Sequence, residues 1–187
     1  MGRRRRRDPR PLPERRLAAA LLATGLLVSG CGSAGRPPQP LAQRLCARAQ
    51  QAAIGLLHGQ VRVQVLSADP SDVRCRLVGG RIALAVEAQT SDQAWVEYDT
   101  EQSHFAQVFG PTNIHNQAEQ PHYLTGVGSQ AFWVPAQLEL VSTNAQEGSV
   151  GTYVTVSVTH HKRGAAATRP IAAAAARAAI ATVPPAR

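Results

Sequence analysis

The 187-residue sequence predicts an α+β fold, with a largely antiparallel sheet of about six or seven strands packed against three helices. Three patterns support this prediction: short runs of alternating apolar and polar residues, longer runs with helical spacing, and the lack of a repeated strand–helix–strand unit. We expect an N-terminal helix, a central aromatic helix and a C-terminal alanine-rich helix. In such folds helices gather on one side of the sheet, so we expect all three on one face.

The first half of the predicted domain contains one helix and three strands. Apolar residues recur at helical spacing over 41–57, and Gly59 ends this helix. Apolar residues then alternate with polar ones over 61–65, 73–77 and 82–88, which indicates half-buried strands. Two turns separate these strands, Asp69-Pro70-Ser71-Asp72 and Gly79-Gly80.

The second half begins with the aromatic helix and ends with the alanine-rich one. Ser91 or Asp92 can cap the aromatic helix, which Phe109-Gly110-Pro111 ends. A polar loop over 112–122 follows, and the final helix runs from Thr168 to about Ala181. The predicted strands between them cover 123–125, 131–134, 138–142 and 154–158.

The aromatic helix provides the candidate binding site. Its aromatic residues repeat at helical spacing, and a further aromatic pair occurs in a predicted strand. One interpretation is that this face simply packs on the sheet. The functional interpretation is that a partly exposed aromatic face lines a ligand groove. The residues of that candidate groove are Trp95, Tyr98, Phe105, Phe132 and Trp133.

The N-terminus has the layout of a bacterial export signal. A basic block that begins at Arg3 precedes an apolar stretch over 17–29, which is shorter than the roughly 20 residues that span a membrane. Val28-Ser29-Gly30 before Cys31 resembles a lipobox. The resemblance implies cleavage after residue 30, a diacylglycerol on the Cys31 thiol, and a protein anchored on the extracytoplasmic face of the cell membrane. Secretion without a lipid is the alternative.

The signal also explains most of the basic charge. The chain has a net charge of +8, but residues 1–30 contain eight arginines and two acidic residues and so contribute +6, which leaves +2 for the rest. A domain with this balance has no electrostatic reason to bind nucleic acid. We predict a signal peptide over 1–30, a tether over 31–40, one extracytoplasmic domain over 41–183 and a tail over 184–187.

The cysteines are consistent with export. If Cys31 is lipidated, Cys46 and Cys75 remain, and an oxidising compartment favours a disulfide between them. Two buried free thiols are the alternative. The two cysteines lack the close spacing of zinc ligands, so we predict no metal site.

One segment resembles a known family. Gly126-Val127-Gly128-Ser129-Gln130-Ala131-Phe132-Trp133, followed by Leu138-Glu139-Leu140, is similar to a motif of actinobacterial cell-envelope lipoproteins in a domain-of-unknown-function family. Extracellular sensor domains of mycobacterial receptor kinases are distantly similar. In that motif Asp usually occupies the position of Ser129. The resemblance implies a fold and a location, and it implies no activity.

No catalytic constellation is recognisable in the sequence. Gly126 and Gly128 suit a tight turn with positive φ better than a phosphate-binding loop, because a strand-like segment follows them. His115 and His122 have only Glu119 as a local acidic partner, and adjacent His160 and His161 would point to opposite sides of a strand. We therefore predict no enzyme activity and no cofactor.

The resulting expectation is a monomeric, lipid-anchored, non-enzymatic module. It would bind a lipid, a cell-wall fragment or another envelope ligand. The alternative is an accessory or sensory subunit that binds a membrane protein such as a kinase or a transporter. An exposed apolar patch on the open face of the sheet would favour that alternative.

Overall fold

A computed structural model describes residues 40–57, 59–109, 120–159 and 164–183. Contacts divide the chain into residues 1–36 and 37–187, and every described residue belongs to the second unit. The predicted signal peptide, the lipidation site at Cys31 and the C-terminal tail lie outside the described residues, as do His115, His160 and His161.

The described residues form three helices and one seven-stranded antiparallel sheet, which confirms the predicted α+β class and the order of its elements. The helices are α1 (Leu41–Leu57), α2 (Ala94–Val108) and α3 (Ala165–Thr182). The strands are β1 (Val61–Asp69), β2 (Asp72–Gly79), β3 (Ile82–Ser91), β4 (His122–Tyr123), β5 (Gln130–Val134), β6 (Glu139–Thr143) and β7 (Gly151–Thr159). None of these helices combines the length and the apolar character needed to cross a membrane.

The sheet is built from two meanders that meet in its middle. Its strand order is β1-β2-β3-β7-β6-β5-β4, so within the described residues a single ladder, between β3 and β7, joins the two halves of the sheet. This ladder pairs Ala83 with Thr159 at one end and Ser91 with Gly151 at the other. The outer edges of the sheet are β1 and the two-residue strand β4.

The larger core lies between the sheet and the helices α1 and α3. Alternate strand residues such as Leu84 and Val156 point into it, as the period of two predicts, and the alanine face of α3 packs closely against them. The disulfide between Cys46 of α1 and Cys75 of β2 lies in this core, with a Cα–Cα distance of 5.7 Å. The predicted pairing of these two cysteines is confirmed.

The prediction that all three helices share one face is wrong, because α2 packs on the opposite face. Its residues Tyr98 and Phe105 form a second core with Phe132, Val134 and the other strand residues that point away from α1 and α3. Side chains alternate along a strand, so β5, β6 and β7 each supply residues to both cores. On this second face α2 contacts β7 and β6 most extensively, and the part formed by β1 and β2 has no helix over it among the described residues.

Candidate functional site

The five residues of the candidate aromatic groove do not share one surface. Tyr98, Phe105 and Phe132 are buried between α2 and the sheet, whereas Trp95 at the rim of this core is half-buried. Trp133 is 1% exposed and lies in the other core, beneath α1 and α3. The physical reason is that Phe132 and Trp133 are adjacent on β5 and therefore point to opposite faces.

The aromatic rings of the second core form a compact cluster. The ring centroids of Tyr98 and Phe132 are 5.4 Å apart, and those of Phe105 and Phe132 are 5.8 Å apart in an edge-to-face arrangement. Burial, helped by the nearby Tyr123 and Asp99, raises the pKa of Tyr98 to about 12. These three residues thus act as packing residues of the interface, which is what the simpler interpretation of the aromatic face describes.

A small pocket opens on one side of α2, above this cluster. It has a volume of about 170 Å³, below the usual range for drug-sized ligands, and Phe132 contributes to its wall. The Gln102 amide donates a hydrogen bond to the Tyr123 hydroxyl across it, at 2.9 Å. Its lining residues are Gln102, Ala106, Phe109, Gln120, Pro121, Tyr123 and Phe132.

A larger polar groove lies on the other side of α2, which we call the acidic groove. It has a volume of about 360 Å³. One wall consists of α2 residues spaced three and four apart, and Tyr153 of β7 and Gln89 of β3 form the other wall. This groove was not predicted from the sequence, because its parts come from three distant segments. The i, i+4 spacing of Glu97 and Glu101 was the available signal. Its lining residues are Gln89, Gln93, Val96, Glu97, Thr100, Glu101 and Tyr153.

The acidic groove contains a carboxyl group in an unfavourable position. Oxygen Oε2 of Glu97 is buried and makes no hydrogen bond within the described residues. Loss of water around this group raises the pKa of Glu97 above its ordinary value. Burial raises the pKa of Tyr153 as well, and Glu101, Glu139, Glu97 and Glu87 add to this effect. The groove is therefore rich in hydrogen-bond acceptors and negative potential.

Glu139 lies on the same face of the sheet and strengthens this negative field. Burial raises its pKa, and the neighbouring carboxylates of Glu101 and Glu87 add to the effect, while a hydrogen bond from Ser157 at 3.2 Å opposes it. Of the nearby basic groups, Arg74 pairs with Glu87 at 2.9 Å. The carboxylates of Glu97, Glu101 and Glu139 make no ion pair with a described residue.

The glycine segment that carries the family resemblance has a packing role. Gly126 and Gly128 have φ values of 72° and 63°, the conformation for which glycine was expected. The Ser129 hydroxyl lies 2.9 Å from the Thr143 carbonyl oxygen and 3.2 Å from that of Ala145, so it can donate to either and fix the turn to the end of β6.

Helix α3 also contacts this turn. Arg177 donates from Nε to the Gly126 carbonyl oxygen at 2.9 Å, and a Cβ at Gly128 would be 2.9 Å from Cδ1 of Ile180. These contacts hold the turn between α3 and the end of β6, which is a structural role for the glycine segment.

Within residues 40–57, 59–109, 120–159 and 164–183, no group of three or more His, Cys, Asp or Glu side chains lies close enough together to hold a metal ion. His104 packs its ring at 5.5 Å from the ring of Phe105, and His122 is exposed on β4. No family model, curated protein or solved structure matches this chain.

Proposed function

We propose that this chain is a lipid-anchored extracytoplasmic lipoprotein whose α+β domain binds an envelope ligand and catalyses no reaction. The lipobox-like residues before Cys31 support the anchor, and the Cys46–Cys75 disulfide supports an oxidising compartment. The glycine segment supports membership of the actinobacterial domain-of-unknown-function family that it resembles.

The ligand site of this proposal is the acidic groove, and the class of ligand is a hydroxyl-rich glycan fragment of the cell wall. Carboxylates, the amides of Gln89 and Gln93 and the hydroxyls of Thr100 and Tyr153 present both acceptors and donors. The hydroxyl groups of a glycan can satisfy such a set without bringing a charge into it.

The choice of this site rests on one observation. The Oε2 atom of Glu97 is buried and has no hydrogen-bond partner among the described residues. A buried polar atom without a hydrogen bond costs about 1–3 kcal/mol, and more when it is charged. If the Glu97 side chain rotates toward the groove, a bound hydroxyl can donate to this oxygen and recover that cost. The groove thus has a specific position at which a ligand gains more than it would at an ordinary surface.

Lysozyme-solubilised peptidoglycan fragments provide the probe for a test of this site. We expect these fragments to raise the melting temperature of the mature protein and to appear as bound species in native mass spectra. Glu97→Leu removes the acceptor, so it should weaken fragment binding about tenfold or more, as expected for a hydrogen bond to a charged group. The same substitution should stabilise the free protein, because it removes an unpaired buried carboxyl group.

Glu147→Leu is the matched control, because Glu147 is exposed in the turn before β7, and it should leave fragment binding unchanged. Absence of any bound fragment, or equal binding by the Glu97→Leu and Glu147→Leu proteins, would refute the acidic groove as the ligand site.

The anchor is tested separately. Growth with a radiolabelled fatty acid should label the wild-type protein, and Cys31→Ala should abolish the label and release the protein from the membrane. A labelled Cys31→Ala protein, or an unlabelled wild type, would refute the anchor.

The edge strand β1 supports a second function, that of an accessory subunit which binds a membrane protein. Val65 and Leu66 are 40% and 54% exposed beside the unpaired outer edge of β1, where an extended segment of a partner can add as a further strand. In contrast, the open part of the second face carries charged side chains such as Arg62 and Arg76 rather than an apolar patch. Leu66→Lys should abolish crosslinks to a membrane protein in intact cells if this function is correct.

A further inference from the structure

The helices on the two faces of the sheet carry opposite charge. Helices α1 and α3 together contain four arginines and no acidic residue, whereas α2 contains three acidic residues and no lysine or arginine. The arginines are Arg44, Arg48, Arg169 and Arg177, and the acidic residues of α2 are Glu97, Asp99 and Glu101. Every one of these arginines is exposed. The side of the domain formed by α1 and α3, which we call the basic face, therefore differs in charge from the acidic α2 layer on the other side of the sheet, although β1 and β2 beside α2 carry Arg62 and Arg76.

The basic face contains a groove with a volume of about 450 Å³, which is larger than either of the two grooves beside α2. Arg44 and Arg48 lie one turn apart on the outer side of α1, and Gln51 continues the same side at i+3. The C-terminal end of α3 forms the opposite wall through Ala181 and Thr182. The dipole of α3 places about half a negative charge there, which is less than the two positive charges of the arginines, so the groove keeps a net positive potential.

The groove lies close in sequence to the proposed lipid anchor. Residue Leu41, the first of α1, follows Cys31 by only the nine residues 32–40, which reach at most about 30 Å. Arg44 occurs in the first turn of α1, so an anchor at Cys31 would hold it close to the bilayer. Ile54, which is 45% exposed, lies on the same side of α1 three residues after Gln51 and adds an apolar side chain to this surface.

We propose that the outer side of α1, together with the C-terminal end of α3, docks on the surface of an anionic phospholipid bilayer. Arg44 and Arg48 pair with headgroup phosphates, and Ile54 contacts the boundary of the acyl region. The acidic groove beside α2 then faces away from the membrane, because an anionic surface repels it. This inference rests on the proposed lipid anchor, and it specifies the orientation in which the anchored domain presents its ligand site.

The expected strength of this docking is modest. A basic residue near an anionic bilayer strengthens association about fivefold, so Arg44 and Arg48 together provide about 25-fold. A lipid chain must supply the remaining affinity, which is consistent with the need for two membrane signals in stable anchoring. Salt at 0.5 M reduces the Debye length to about 4 Å and should remove most of the arginine contribution.

The test uses the mature chain, residues 31–187, with Cys31→Ser so that no acyl chain contributes to binding. At millimolar lipid, where weak binding is measurable, we expect a larger fraction of this protein to sediment with phosphatidylglycerol vesicles than with phosphatidylcholine vesicles, and 0.5 M salt should remove the difference. The double variant Arg44→Gln/Arg48→Gln should bind phosphatidylglycerol vesicles about 25-fold more weakly. The double variant Arg62→Gln/Arg76→Gln is the matched control, because it removes the same charge from the open part of the opposite face, and it should bind as the wild type does.

Equal binding to the two kinds of vesicle, or an equal loss in both double variants, would overturn the docking proposal. Because the protein tested lacks the acyl chain, its result is independent of whether Cys31 is lipidated in cells. Failure of the fatty-acid label would refute the anchor, and failure of the lipid preference would refute the docking face.

Discussion

Phe132 and Trp133 are consecutive residues of β5, yet their rings lie in two separate cores on opposite faces of the sheet. Phe132 packs against Tyr98 and Phe105 of α2, and Trp133 lies in the core beneath α1 and α3. Substitutions at these two positions therefore report on the two helical layers independently, although the same strand carries both.

Phe132→Ala should detach α2 while the other layer stays folded. The truncation should cost about 3–5 kcal/mol, because it removes a fully buried ring. A 15-residue helix without its packing face is marginal in water, so we expect faster amide exchange in α2 than in α1 and α3. Trp133→Ala should show the reverse pattern of exchange. The same exchange profile for both variants would contradict the separation of the two cores.

The disulfide between Cys46 and Cys75 should make a large contribution to stability. The two residues are 29 apart in sequence, and the chain-entropy model gives about 3.5 kcal/mol for a loop of this length. Cys46→Ala/Cys75→Ala should lower the free energy of unfolding by that amount in urea titrations. The wild type unfolded under reducing conditions is the control and should show a similar loss. A difference below about 1 kcal/mol would mean that the link does little to restrain the unfolded chain.

The two glycines of the turn before β5 should respond differently to alanine. Both have positive φ, which costs a residue with a Cβ about 1–2 kcal/mol. A Cβ on Gly126 meets open space, whereas a Cβ on Gly128 would overlap the Thr143 carbonyl oxygen and crowd Ile180. We expect a loss of about 1 kcal/mol for Gly126→Ala and about 3 kcal/mol for Gly128→Ala in thermal or urea unfolding. Equal losses would show that backbone strain alone accounts for both.

Protonation of Glu139 should stabilise the folded protein, so its contribution to the free energy of unfolding should be larger in mild acid than at neutral pH. Burial raises its pKa in the folded state, so the folded protein holds this proton more tightly than the unfolded chain does. Stability therefore falls as the pH rises from the ordinary glutamate pKa of 4.5 through the higher folded value.

Glu139→Gln should remove this pH dependence and raise the urea midpoint at pH 7, with little effect near pH 4. Glu147→Gln, which changes an exposed carboxylate, serves as the control. A steeper rather than flatter profile in the Glu139→Gln protein would mean that the carboxylate is stabilised in the folded state.

Local patterns in the sequence were sufficient to predict most elements of the fold. Alternation identified β1, β2, β3 and β7, and helical spacing identified α1 and α2, because these periods depend only on neighbouring residues. The start of α3 was placed at Thr168, whereas the helix begins at Ala165. Alanine has a high helix propensity, so Ala165, Ala166 and Ala167 extend the helix toward its N-terminus, and Pro170 lies inside it.

Long-range relationships were harder to predict. The side of the sheet on which a helix packs depends on its connections, so the position of α2 did not follow from its own aromatic spacing. The acidic groove joins Gln89, Glu97 and Tyr153 across three elements, and a pattern within one element does not show that they meet. In contrast, Gly126 and Gly128 were predictable, since a need for positive φ is a property of single residues.

The central ladder between β3 and β7 has a consequence for how the protein is made. Its partners Ala83 and Thr159 are 76 residues apart, so β3 is synthesised long before the strand that pairs with it. Until β7 emerges, β3 presents an open row of amides and carbonyls that another nascent copy can pair with. Correct folding of the new chain therefore depends on rapid synthesis of its second half, or on a chaperone that shields this edge.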